Sequence, residues 1–191
     1  MGYLLTARPA MEPVTLQEAK DHLRLTSTEE DGYVSTLIIA AREHVEQATG
    51  RPVITQSWRL LLDRFPDGAG AICLKPNLQQ VTALKYLDEN GTQQTLDPAA
   101  YQVHVDPVVG LVEPVYDTTW PDHRRQRGAV TVDFDCGYGN RDDVPQPLRQ
   151  AMLLLIGHWF GHREAVITGT ISSELPMSVR ALLAPYEVPG T

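Results

Sequence analysis

Apolar residues follow two periods along this chain, and the change from one to the other divides it into three stretches. Between Asp31 and Thr49, the residues Val34, Leu37, Ile38, Ala41, Val45 and Ala48 stand at offsets 0, 3, 4, 7, 11 and 14, which predicts a helix with one buried face. Gly50 is placed to close it in a left-handed cap, and Pro52 stops any continuation. Upstream, VTLQEAKDHLRL predicts a shorter helix. Thr15 can cap it, Glu18 completes a capping box, Val14 can staple against Ala19, and Leu16, Ala19 and Leu23 make its buried stripe. Residues 1 to 13 read as an extended arm ending at Pro13, and the polar break TSTEED separates the two helices.

From residue 51 the period becomes two. Ile54, Gln56, Trp58, Leu60 and Leu62 alternate with Thr55, Ser57, Arg59 and Asp63, as in a half-buried strand. PDGAG predicts a loop, AICL and VTALKYL two strands, and Asn90-Gly91 a tight turn into a partner strand, TQQTL. YQVHV alternates again, GLVEPV is expected at a sheet edge because of Pro114, and AVTVDFDCGYG closes the series. About seven short strands over residues 51–143 make an antiparallel β domain.

Helical spacing returns in VPQPLRQAMLLLIGHWFGHREAV, residues 144–166. Pro145 and Pro147 suit a helix start. Leu148, Ala151, Met152, Leu155, Trp159 and His162 form one stripe, and Leu153, Leu154, Ile156 and Phe160 fill most of the rest. A helix apolar nearly all round must be covered on all sides, by a bundle or by neighbouring subunits. Arg149, His158, His162 and Arg163 lie too close to it for a membrane span. Leu155 and Trp159 are expected to face Leu37, Ile38 and Val45. A last helix in LPMSVRALLAPY should pack back through Met177, Val179 or Arg180, Leu182 and Leu183. The fold class is α+β: a helical bundle from residues 1–50 and 144–191 with an antiparallel β domain, 51–143, inserted between.

Charge narrows the function. The net charge is −8, which argues against a general nucleic-acid or anionic-membrane binder. Residues 1–50 carry 4 basic and 8 acidic side chains, 51–143 carry 9 and 13, and 144–191 carry 3 and 3, so the bias belongs to the first two stretches. The N-terminus shows no secretory signal pattern. Cys73 and Cys136 have no metal or redox spacing and read as two small buried hydrophobes in a reducing compartment.

Candidate chemistry is sparse. His158 and His162 would project from one helix face as a metal pair, with Glu164 or His44 as a third ligand, but the general-base glutamate of HExxH is absent; helix-end histidines with polar partners are the commoner case. Asp133 and Asp135 alternate with Val132, Phe134 and Cys136, which fits a solvated strand face better than an acid–base pair. Gly137 and Gly139 suit a bend out of the sheet, since no phosphate-binding glycine pattern surrounds them. His123-Arg124-Arg125-Gln126-Arg127 is the one basic cluster, either a solvated loop or a contact for phosphates or an acidic partner. No nucleophile context is recognisable. In the C-terminal segment, Pro185 and Pro189 oppose helix, and Tyr186 and Val188 give apolar anchors. An extended tail that orders only on a partner is expected there, and a frayed terminus without a role is its alternative.

The order of these pieces carries a resemblance. PVTLQEAKDHLRL, an acidic break and LIIAAREHVEQATGRPVITQSWRLLLDRFP resemble the opening of tailed-phage head–tail connector proteins, also described as adaptor or head-completion proteins and often encoded in prophages. GAVTVDFDCGYG, VPQPLRQAMLLLIGHWFGHRE and LPMSVRALLAPY are similar to that family's second half, so the likeness runs from about Pro13 to Tyr186. It implies a structural, non-enzymatic virion protein of the neck, made in the host bacterial cytoplasm and lacking metal or cofactor. It further implies a ring of roughly twelve identical copies beneath the portal protein. That ring would extend the channel for double-stranded DNA, without binding it specifically, and dock a tail-side stopper or tail-completion protein; no membrane is involved. Portal contact by C-terminal segments in the family points to Tyr186 and Val188 here. Shorter members lack much of the β insert. The rival classes are a small cytosolic metal-dependent enzyme using His158 and His162, and a monomeric β-domain binding module.

Overall fold

The computed structural model describes residues 2–162 and 177–189 and divides the chain into two compact units. One is formed by Met11–Ile54 and Gly139–Thr191, the other by Met1–Ala10 and Thr55–Tyr138.

The first unit is helical. Helix α1 (Leu16–Leu23) starts in the capping box that its sequence predicts. The Glu18 amide donates to Thr15 Oγ1 at 3.0 Å, and the Thr15 amide donates to Glu18 Oε2 at 2.7 Å, so two otherwise orphaned donors are satisfied reciprocally. Helix α2 (Asp31–Thr49) buries Val34, Leu37, Ile38, Ala41 and Val45 and ends at Gly50, whose φ of 70° is the left-handed cap. Helix α3 (Gln146–Gly161) follows Pro145 and buries Leu148, Ala151, Met152, Leu155 and Ile156. It packs on α1, α2 and the short helix α4 (Met177–Leu183), which contributes Val179 and Leu183 to the core. None of the described helices is long and apolar enough to cross a membrane.

Several expectations change here. Within the single chain α3 is not covered all round: Leu153, Leu154, Trp159 and Phe160 are half-buried and His162 is exposed. Trp159 meets His44 edge-on at 5.9 Å, and Phe160 lies 6.0 Å from Tyr33. Residues 163–166, the expected end of that helix, lie outside the described residues. Met177 is 87% exposed and anchors nothing, because the buried face of so short a helix is filled by Val179 and Leu183.

Glu18 also joins α1 to α3 by pairing with Arg149. Burial opposes its ionisation, but the Thr15 amide and hydroxyl and the Arg149 guanidinium outweigh that and hold the carboxyl below its ordinary value. A depressed carboxyl contributes stability above its unfolded value and loses it as pH falls through the folded one. The stability advantage of wild type over Glu18→Gln should therefore be largest near neutrality and vanish in acid. Melting curves from neutral pH to about pH 3 test this, and an advantage that stays constant over that range would refute it.

The second unit is all β. Strands β1 (Gly2–Ala7), β2 (Gln56–Leu62), β3 (Ile72–Leu74), β4 (Leu78–Leu87), β5 (Gln93–Thr95), β6 (Tyr101–His104), β7 (Gly110–Pro114) and β8 (Val130–Cys136) form two antiparallel sheets, ordered β1-β2-β8-β4-β5 and β3-β7-β6. The central strand β8 alternates strictly: Val130, Val132, Phe134 and Cys136 are buried, while Thr131, Asp133 and Asp135 face outward. Those residues share one core with Leu60, Leu78 and Leu84 of the larger sheet and Ile72, Leu74 and Val112 of the smaller. Gly110 permits this closeness, since a Cβ there would stand 2.6 Å from the Leu78 side chain.

The expected N-terminal arm is extended, as read, but it belongs to this unit and not to the helices. β1 pairs with β2 from Gly2↔Leu61 to Ala7↔Ser57, because its backbone completes the β2 edge. Tyr3 fixes it by donating to the Cys73 carbonyl at 3.1 Å, and burial, reinforced by the neighbouring Cys73 and Cys136 thiols, pushes the phenol up to about 12. Pro114 does not put β7 at an edge. β7 is the middle strand of its sheet, and Pro114 sits at its last position, opposite Tyr101, where a missing N–H costs little. Cys136 is buried as expected, but Cys73 is exposed, because β3 alternates and puts it on the outward face between Ile72 and Leu74.

Candidate functional site

The basic loop lies between β7 and β8 and is held firmly at its base. Phe65 and Trp120 stack with centroids 4.8 Å apart and planes 5° from parallel, and the Trp120 indole donates to the Gly70 carbonyl at 2.8 Å. His123 stands edge-on to Phe65 at 5.1 Å. The Phe65 amide donates to its Nε2 at 3.2 Å, which assigns the proton to Nδ1, 3.2 Å from the Pro121 carbonyl. The next residue, Arg124, donates its amide to the Leu87 carbonyl at 3.0 Å. Its guanidinium crosses the β4–β5 turn so closely that a Cβ on Gly91 would stand 2.6 Å from it. In that turn the Asp88 carboxyl is held below its ordinary value by the Gln94 side-chain amide and the Thr92 and Asn90 amides.

Arg124, Arg125 and Arg127 are exposed, and none forms an ion pair among the described residues. Arg59 of the same unit is engaged by contrast, in a two-bonded fork with Asp133 at 2.6 and 2.9 Å. The loop thus presents guanidinium groups that can bind carboxylates or phosphates, on a base too well tied to move freely.

The other candidate chemistry is absorbed by structure. Asp133 is committed to Arg59, while Asp135 accepts from Ser57 Oγ at 2.6 Å and Gln80 Nε2 at 2.7 Å, so the strand face is bonded across strands. Gly137 and Gly139 have φ of 134° and 123°, and the Gly137 amide donates to the Asn77 carbonyl, which makes the bend leaving β8. His158 and His162 have ring centroids 4.8 Å apart, with His162 Nδ1 2.9 Å from the His158 carbonyl. No group of three potential ligands forms among the described residues; His44 faces Trp159, and Glu164 lies outside them. His162→Ala is expected to cost at most about 0.3–1 kcal/mol, the worth of a helix-end interaction. Stoichiometric zinc in purified protein, lost in that variant, would contradict this.

The C-terminal segment is not an extended tail. Ala184–Tyr186 form a turn of 3-10 helix, Arg51 Nε donates to the Tyr186 carbonyl at 2.5 Å, and the Val188 amide donates to the Thr49 carbonyl at 2.9 Å. A proline suits the first turn of a helix, and the carbonyls at the end of α2 need donors, so the segment caps α2. Sequence reasoning could not find this, because the C-terminal segment takes part in both bonds through its backbone atoms, the Tyr186 carbonyl and the Val188 amide.

No curated protein matches the chain. Among solved structures it is similar to a chain of the neck of an empty GTA particle computed with C6 symmetry, at 22% identity and a TM-score of 0.81, covering 100% of this chain and 97% of that one. It is likewise similar to a chain of the virion of a native gene transfer agent (GTA) particle, at 23% identity and a TM-score of 0.82 with the same coverage. A third is a chain of the neck of a native GTA particle computed with C12 symmetry, at 22% identity, a TM-score of 0.71, and 98% and 97% coverage. These likenesses establish the α+β fold. The model of the head completion protein family matches residues 12–187, through both units of the structure, and the chain belongs to that family.

Proposed function

We propose that the chain is a structural protein of the virion neck, a head–tail connector whose copies close into a ring beneath the portal, extend the DNA channel and dock tail components. The observation that carries this reading is the family match over residues 12–187. The symmetric neck assemblies that hold the similar chains support a ring. So do Leu153, Leu154 and Phe160 on α3 and the 40%-exposed Ile39 on α2, which leave apolar surface for a neighbour to cover. A net charge of −8 suits a channel in which DNA slides without sticking. The role assigned is mechanical, with no reaction catalysed and no metal or cofactor held. Imaging of purified protein, with particle mass by light scattering, tests it. A chain that stays monomeric both alone and with portal particles overturns it.

Tyr186 and Val188 are assigned to the portal contact, as parts of a folded cap and not of a loose tail. Deleting residues 185–191 removes the two bonds to Arg51 and Thr49 and should cost about 1–3 kcal/mol. The double variant Tyr186→Ala/Val188→Ala keeps both backbone bonds, so it should melt close to wild type and yet co-sediment poorly with portal particles. Undiminished co-sedimentation of that variant would move the contact to the helical unit or the Arg124 loop.

A further inference from the structure

We infer that β1 of one copy of this chain lies along β5 of the next, so that the five-stranded sheets of neighbouring copies join edge to edge. This rests on the ring reading and names the strands that would close the ring. The hydrogen-bond register fixes what each edge offers, because residues along a strand bond alternately to one neighbour and the other. The Leu96 amide donates to the Leu84 carbonyl at 2.8 Å and the Asp88 amide to the Thr92 carbonyl at 2.9 Å, so Thr92, Gln94 and Leu96 bond to β4. Gln93 and Thr95 therefore turn their N–H and C=O groups to the open side. At the other end of the sheet, the Leu87 amide donates to the Ala129 carbonyl at 2.9 Å, just before β8. The same alternation carried through β8 and β2 directs the backbone groups of Gly2 and Leu4 to β2 and leaves those of Tyr3 and Leu5 on the open side.

Such an edge is complementary to another extended strand, since its donors and acceptors repeat at the spacing of a backbone. Edges that stay single are guarded by lysine, proline or inward charge. β1 has no charged residue and no proline from Gly2 to Ala7, and it leaves Leu4 52% and Leu5 42% exposed on opposite faces. β5 has no charge or proline either. Tyr3 sets its ring edge-on to Trp58 and Phe134 and so holds β1 in place, which makes the open edge preformed.

Symmetry selects the occupant. Neighbours in a ring have no two-fold axis between them, so β1 cannot meet a second β1 and needs a different edge. β3 is not that edge: its middle carbonyl, that of Cys73, already accepts the Tyr3 hydroxyl at 3.1 Å, which places β3 on the same side as β1. β6 lies in the other sheet, whereas β5 closes the opposite end of the sheet that β1 begins. Four successive antiparallel pairings make β1 and β5 run in the same direction. A copy turned by one step of the ring thus brings its β1 beside β5 in parallel, and the sheet continues from copy to copy.

Amide hydrogen exchange on assembled and dissociated wild type reads the contact directly. Exchange should slow on assembly by roughly tenfold or more in residues 2–7 and in residues 92–96 together. Leu4→Lys/Leu5→Lys guards one edge, and Thr95→Pro removes an outward donor from the other; Thr95→Val, which keeps that donor, is its control. In sedimentation, each of the first two should weaken self-association by roughly tenfold or more, while Thr95→Val matches wild type. Each blocked variant keeps one good edge, so an equimolar mixture of the two should form dimers and stop there, which an edge that pairs with itself could not do. Melting curves near wild type show that the blocked variants are folded, and Gln93→Lys/Thr95→Lys replaces Thr95→Pro if proline unsettles the β4–β5 pair. If the blocked variants give particles of wild-type mass, or exchange slows in only one of the two segments, the inference falls and the ring reading stands. If wild type is monomeric alone and with portal particles, both readings fall together.

Discussion

Leu155→Ala should destabilise the helical unit by about 2–5 kcal/mol, toward the upper end of that range. Leu155 lies in the middle of α3, fully buried, with buried Ala151, Met152 and Ile156 as neighbours on its own helix. Helices α1, α2 and α4 all pack on α3, so a void there is bounded by separate elements, each tied elsewhere. α1 is fixed by its capping box and the Glu18–Arg149 pair, and α2 is fixed at its end by the C-terminal cap. Such walls relax little, and the cost grows with the cavity that remains. Leu153→Ala, on the half-buried side of the same helix, should cost clearly less in the isolated chain. Denaturant midpoints of the two variants decide this. A near-wild-type midpoint for Leu155→Ala would mean that the helices pair otherwise.

That contrast bears on what was legible in the sequence. Period and capping chemistry are local, so α1 with its Thr15–Glu18 box, α2 with its Gly50 cap and the alternation of β8 could all be read directly. Which side of α3 is covered could not, because Leu153 and Leu155 are the same residue type and differ only in what the fold brings against them. Pairing partners were equally hidden. GYLLTA carries no charge and little pattern, and it becomes β1 only because the edge of β2 is there to receive it. Pro114 marked a place where a ladder bond is missing, but at a strand end that says nothing about the edge of a sheet. For the candidate surface, the basic cluster was plain in the sequence. Its rigid base, built from Phe65, Trp120 and the Gly91 turn, comes from three distant segments and was not.

Arg42→Ala should cost about 3–5 kcal/mol, as much as a core truncation, although the sequence offers Arg42 only as one more charge on an amphipathic helix. Its side chain is 5% exposed and meets three carboxylates: Glu12 at 2.8 Å, Glu46 at 2.8 Å and Glu43 at 3.6 Å. Burial works against the charged guanidinium, but Glu46, Glu12 and Glu43 more than compensate and raise its affinity for the proton. The cluster also ties down chain outside α2. Glu12 lies in the segment before α1, where its carbonyl accepts from Arg141 Nε at 3.2 Å, and the second oxygen of Glu46 accepts the Val53 amide at 2.9 Å. Removing the guanidinium leaves these carboxylates facing one another, with Glu46 at 16% exposure unable to recover its hydration. Most of the cost is therefore the stranded charge and not the lost attraction. Arg42→Met combined with Glu12→Gln and Glu46→Gln removes that charge and should recover most of the stability, whereas Arg42→Lys keeps a charge, loses the fork and should fall between. If the triple variant is no more stable than Arg42→Ala, the stranded carboxylates are not the cause and the lost guanidinium bonds to Glu12 and Glu46 are, since methionine restores most of the stem packing.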